Sequence, residues 1–265
     1  MRTAALSLAA ILLATAPEHV GAEAAGPDSV YIEELTWTEL RDRIASGGTT
    51  VIIPIGGTEQ NGPYMAIGKH NIRVKLLAGK IASALGNSVV APVLPYVPEG
   101  NLNPPSGHMR WPGTISVPED SFEKTIEYAA RSFKVHGFRD IVFLGDHGST
   151  QKGEEVVAQK LDREWAGTPA RVHAIVQYYE ESEAGFGKLL ESRGYSAAEV
   201  GTHAGLADTS LTLALAPELV RTDRLNPGEG INGDPSRASA ELGNLGVDAI
   251  VSRTVAAIKD AIVRR

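Results

Sequence analysis

Two short apolar runs, each closed by glycine and then by acidic and imidazole side chains, constrain this chain more than any other feature. The first is Val51-Ile52-Ile53-Pro54-Ile55, followed by Gly56-Gly57 and then Thr58-Glu59-Gln60-Asn61. The second is Ile141-Val142-Phe143-Leu144, followed by Gly145-Asp146-His147-Gly148. Runs of this length with no polar alternation read as strands buried on both faces, the pattern of a parallel sheet. Helical spacing surrounds them over 32–46 (opening at a cap-like Thr36), 71–85, 121–136, 152–165, 202–216 and 248–265. Segment 89–94 reads as a short strand broken by prolines, 171–179 as a further strand, and 98–112 as a long loop. Strands alternating with helices in this way predict an α/β fold with a mostly parallel sheet covered on both faces.

The first residues read differently. Met1-Arg2 is a minimal positive start, 4–16 is apolar, and Val20-Gly21-Ala22 offers small residues for cleavage. This pattern predicts a signal peptide over 1–22 and an exported, periplasmic or secreted domain over 30–265. The sequence has no cysteine. Thiolate nucleophiles, iron–sulfur centres and cysteine zinc sites are therefore excluded, and a transition metal must be held by His, Asp or Glu. A net charge of −7 without a basic run argues against nucleic acid or an anionic membrane as partner.

Chemistry-bearing residues gather at predicted strand ends and turns: Glu59 with His70, Asp146 with His147, and His203 with Asp208 in His203-Ala204-Gly205-Leu206-Ala207-Asp208-Thr209-Ser210. A softer signal is His108 in the loop, ahead of Trp111-Pro112-Gly113-Thr114. Carboxyl ends of parallel strands share one rim, where ligands bind in open α/β sheets. Imidazole plus carboxylate is the thiol-free ligand set for Zn²⁺, Mn²⁺ or Fe²⁺.

These segments resemble the creatininase (creatinine amidohydrolase) family. Its G-x-x-E-x-H-G-P-H-x-P-L-x-x-D pattern corresponds to the stretch from Gly56 through Glu59, Asn61, Gly62 and Pro63 to His70. Its S-x-x-H-x-x-F-P-G-T pattern is approximated by Ser106-Gly107-His108-Met109-Arg110-Trp111-Pro112-Gly113-Thr114, and N-G-H-G by Gly145-Asp146-His147-Gly148. H-A-G-x-x-E-T-S matches the His203 turn, and G-x-x-G-D-P appears as Gly230-Ile231-Asn232-Gly233-Asp234-Pro235. The resemblance implies a three-layer αβα sandwich, a metal-dependent hydrolase acting on C–N bonds of small amides or cyclic amides, and a homo-oligomer, often a hexamer. It carries Glu59 and His147 over as metal ligands. The positions of a second-metal His and a bridging Asp are Asn61 and His70 here, which argues against a two-metal centre.

The residues themselves suggest one divalent ion per chain, zinc before manganese or iron, held by Glu59, His70, His147 and Asp208. His203 or Asp208 is the expected acid/base group, and His108 is expected to contact substrate or cap the site. Asp208 reads equally well as a carboxylate at a helix N-terminus. Asn61 reads as a turn residue and Lys69 as a solvated charge. Alternatives are a lactonase or other ring-opening hydrolase, and a non-catalytic exported protein that binds metal or ligand.

Overall fold

The structure, a computed structural model, describes residues 28–264. The predicted signal segment 1–22 lies outside the described residues. Strand β1 (Thr50–Ile55) pairs in parallel on one side with β2 (Ser88–Val90) and on the other with β3 (Asp140–Gly145), which pairs with β4 (Arg171–Ala174). The sheet order is β2-β1-β3-β4. Helix α1 (Trp37–Ala45) precedes β1 and is opened by Thr36, whose hydroxyl forms a reciprocal capping box with Glu39. Helix α2 (Lys69–Leu85) joins β1 to β2, α3 (Glu119–Val135) leads into β3, and α4 (Gln151–Glu164) joins β3 to β4. The remainder is helical: α5 (Val176–Glu180), α6 (Phe186–Glu191), α7 (Ala197–Val200), α8 (Leu206–Leu215) and α9 (Ala240–Val263). Among the described residues, no helix is long and apolar enough to cross a membrane.

Alternate residues of one strand serve opposite layers, because side chains along a strand point to opposite faces. Ile52, Val142 and Leu144 pack with Leu77, Phe186, Leu211 and Ile250 from α2, α6, α8 and α9. Val51, Ile53, Ile141 and Phe143 pack with Phe122, Ile126, Leu161 and Trp165 on the side of α3 and α4. Each fully buried aliphatic or aromatic side chain contributes about 1.5–3 kcal/mol, so both faces need a helical cover. The result is the αβα sandwich with a parallel sheet.

Register places the site. Ile55 at the end of β1 lies opposite Gly145 at the end of β3, so Gly56–Glu59 and Asp146–His147 leave the sheet side by side. The chain departs to β2 on one side of β1 and returns to β3 on the other, which makes the gap beyond these two ends a switch point.

Among the boundaries that differ from the sequence expectation, two have consequences at this edge. The strand expected over 171–179 stops at Ala174, and the chain turns into α5, which carries Tyr178 to the carboxyl edge. Helix α2 begins at Lys69, so Lys69, His70 and Arg73 stand at helical spacing on one buried face.

Candidate metal centre

Glu59 is the hub. It follows the turn at Gly56-Gly57, is fully buried, and meets four imidazoles. Its Oε1 lies 2.7 Å from His70 Nε2 and 3.6 Å from His203 Nδ1. Its Oε2 lies 3.0 Å from His108 Nε2 and 3.1 Å from His147 Nε2. The rings come from α2, the long loop, the end of β3 and the turn before α8. Asn61 is a turn residue, as read, but a buried one: its Nδ2 donates to the Glu59 carbonyl at 3.0 Å and closes this loop.

Local features hold each ring. His147 Nδ1 accepts from the Ser149 N–H at 3.2 Å and lies 2.7 Å from Ser149 Oγ, which fixes the ring with Nε2 toward Glu59. The Gln60 amide lies 3.1 Å from His108 Nδ1 and from His203 Nε2, tying those two rings together. His203 Nε2 also lies 2.9 Å from the Gln60 carbonyl. Ala204 beside it has φ 52, a left-handed conformation that costs an alanine roughly 1–2 kcal/mol. Tyr64 and Thr209 donate to its carbonyl and its N–H donates to Asp208, so the turn presenting His203 is fixed from three sides.

Beneath the hub lies an ionic floor. Asp146 accepts from Arg73 Nε at 2.8 Å and from Tyr178 at 2.6 Å, and its Oδ2 is 2.7 Å from His70 Nδ1. Asp208 is paired with both Lys69 and Arg73. This corrects two sequence readings. Lys69 is 1 % exposed rather than solvated, and the Asp208 carboxylate faces two fixed cations rather than the imidazoles. The reason is local: helix α2 starts early enough to aim Lys69 inward at the head of α8. His70, expected as a ligand, has one ring nitrogen on Asp146 and the other on Glu59, which joins floor to hub.

The charges follow these partners. Burial pushes Glu59 upward, but hydrogen bonds from His147 and His70 outweigh it and hold the carboxyl far below its usual range. Burial alone would lower His147; Glu59 and Glu99 reverse this and push it up to about 10. Burial pulls His203 down to about 4, so the ring is neutral near pH 7. Burial would raise Asp208, but Lys69 and Arg73 hold it well below the usual carboxylate range.

Glu59, His108 and His147 each offer a ligand atom, all within 4.8 Å of one another. Beside them Glu99 is buried, and neither of its carboxylate oxygens has a hydrogen-bond partner. A thiol-free group beside a buried carboxyl whose ion pair is with an imidazole, His147, fits a divalent cation of the zinc, manganese or iron type. The group borders a cavity of about 280 Å³, also lined by Lys69, Tyr179, Glu183 and His203, with room for a small molecule. The sequence reading missed Glu99, Arg73 and Tyr178; Glu99 sits in a proline-rich loop with no periodicity to mark it. It brought Glu59, His70, His147 and His203 to one centre and added His108 on softer grounds; Asp208 stands in the first turn of α8, as its helix-terminus reading has it, and not among the ligand atoms.

Comparison with known proteins adds an independent line. The family described as Creatininase: Creatinine amidohydrolase matches residues 33–258. Creatinine amidohydrolase of Pseudomonas putida is 25% identical over 257 residues, covering 88% of this chain and 97% of that protein. The mycofactocin precursor peptide peptidase of Mycolicibacterium smegmatis is 27% identical, covering 73% of this chain and 77% of that one. The 3-dehydro-scyllo-inosose hydrolase of Thermotoga maritima is 27% identical, with 74% of this chain and 60% of that protein covered. Among solved structures, Creatininase Mn superposes with a TM-score of 0.73 at 26% identity, covering 88% of this chain and 99% of the other. A crystal structure of creatinine amidohydrolase (creatininase) superposes at 0.70 and 25%, covering 89% of this chain and 98% of that one.

Proposed function

This chain belongs to the creatininase family, and on that premise we propose that it is a metal-dependent amidohydrolase whose ion is held by Glu59, His108 and His147. The observation that carries the reading is the convergence of those three ligand atoms within 4.8 Å on the wall of a small cavity. An ion bound there supplies Lewis acidity, activating water and polarising a substrate carbonyl. We take it to be one ion per chain, zinc before manganese or iron.

The chain's own residues supply the rest. His203, neutral and presented by a fixed turn, faces Glu59 with Nδ1 while its Nε2 meets the Gln60 carbonyl. Nδ1 can therefore accept a proton and return it to a leaving nitrogen, general acid/base work by one imidazole. His108, first read as a substrate contact, is reassigned to the ion, and His70 orients Glu59 from the Asp146 side. Asp208 keeps no acid/base role, because two cations occupy it. The cavity suits a small amide or cyclic amide.

The relatives are named for creatinine, for an inosose and for a precursor peptide. That spread keeps a ring-opening hydrolase as the second reading. The test is elemental analysis of purified protein together with turnover of creatinine, hydantoin-like cyclic amides, lactones and short peptides. About one divalent ion per chain and chelator-sensitive cleavage of an amide is expected; metal-free protein of full activity would reject the reading. Export through the 1–22 segment and assembly as a homo-oligomer belong to the same proposal, checked by N-terminal sequencing of secreted protein and by light scattering.

A further inference from the structure

We propose that Glu99 is a fourth protein ligand of the ion, so that two carboxylates and two imidazoles enclose it. The proposal rests on the metal site inferred above and extends it to a residue on a different loop, between β2 and α3.

Four observations carry it. Glu99 is 5 % exposed, yet both carboxylate oxygens lack a hydrogen-bond partner. An ionised carboxylate left so is costly, and such a group calls for a cation. Its Oε2 lies 3.0 Å from His147 Nε2, an ion pair only while that ring is protonated. His147 Nε2 lies 3.1 Å from Glu59 Oε2, which lies 3.0 Å from His108 Nε2. Ligands at about 2.0–2.2 Å from a tetrahedral ion stand roughly 3.4 Å apart, so these three separations approach edges of such a polyhedron. Glu99 touches it through His147 and lies outside the group whose ligand atoms are all within 4.8 Å of one another, so its carboxylate must swing inward to bind.

The backbone is shaped to deliver this carboxylate. Gly57, at the tip of β1, has no side chain where Glu99 approaches; a Cβ there would stand 2.8 Å from Oε1. The Glu99 N–H donates to Ser116 Oγ at 3.0 Å, and that hydroxyl donates to the Gly100 carbonyl at 2.8 Å. Gly107, at φ +56, passes under the Glu99 carbonyl, where a Cβ would come within 2.9 Å. The neighbouring fixed cations are already engaged: Lys69 pairs with Asp208, and Arg73 with Asp146 and Asp208. Among the described residues, the ion pairs of Glu59 and Glu99 are all with imidazoles.

The test uses full-length purified protein, Zn²⁺ as probe, a chromophoric chelator as competitor and zinc-edge X-ray absorption. Glu99→Gln is expected to weaken zinc binding about tenfold or more and to remove one oxygen from the absorption shell, with Glu99→Asp between it and the parent. In the parent protein, an anomalous difference map is expected to place a Glu99 oxygen about 2.0–2.2 Å from the zinc, a measurement that needs no variant. If Glu99→Gln binds zinc as the parent does with the same shell, Glu99 is no ligand, while the Glu59, His108 and His147 site survives. If the parent itself binds no zinc, that site fails and the Glu99 assignment falls with it.

Discussion

The hub and the floor of this site are built from the same kinds of side chain, at similar depth, with opposite outcomes. In the floor, Asp146 and Asp208 each meet a permanent cation, Arg73 or Lys69 or both. In the hub, the ion pairs of Glu59 and Glu99 among the described residues are with imidazoles, whose charge is conditional. A buried carboxylate with a fixed cation is a finished structural pair, whereas one ringed by imidazoles still calls for positive charge. The difference separates scaffold from chemistry within a few ångströms. Glu154 shows a third outcome. It has neither kind of partner at Oε1 and holds its proton instead, burial pushing it up to about 7.

The contrast can be broken most forcefully at Glu59. Glu59→Gln is expected to lose the bound ion and about 10³-fold in kcat/KM, roughly 4 kcal/mol, while circular dichroism stays that of the parent. Asp208→Asn should do the reverse, costing about 3–5 kcal/mol in urea unfolding by leaving Lys69 and Arg73 under-compensated, with metal content per chain unchanged. If Asp208→Asn empties the site instead, floor and hub are one unit and the division is wrong.

Glu154 gives the next effect, through pH. Its folded pKa is raised above the unfolded value, so the native state holds the extra proton, and stability falls as pH rises from about 4.5 through about 7. The contribution is on the order of 3 kcal/mol across that window. Glu154→Gln should flatten this part of the stability–pH curve in chemical denaturation, and an unchanged slope would remove Glu154 from the account. The smallest effect is expected at Ser149→Ala, which deprives His147 Nδ1 of its 2.7 Å partner. Zinc affinity by chelator competition should drop by about tenfold with stability nearly constant.

Much of this was legible in the order of residues. The two apolar runs marked β1 and β3 because a strand buried on both faces cannot afford polar alternation. Thr36 announced α1 through a box that closes within three residues. Glu59, His147 and His203 stood out because each follows a turn signal at an element's end. The failures share one cause. Lys69 read as solvated because a lysine normally is, yet it pairs with a residue 139 positions away. The strand expected over 171–179 ended early because Tyr178, at the start of a helix, reaches Asp146.

Sequence alone determined the layers, the parallel sheet and the rim on which chemistry-bearing groups stand, since helix spacing, strand period and capping act across a few residues. Tertiary structure alone decided which carboxylate meets a fixed cation and which is left to imidazoles. The fixed-cation pairs span 73 to 139 positions, from Arg73 with Asp146 to Lys69 with Asp208. Electrostatic pairing depends on distance in space and on burial, and neither is written in the local order of residues.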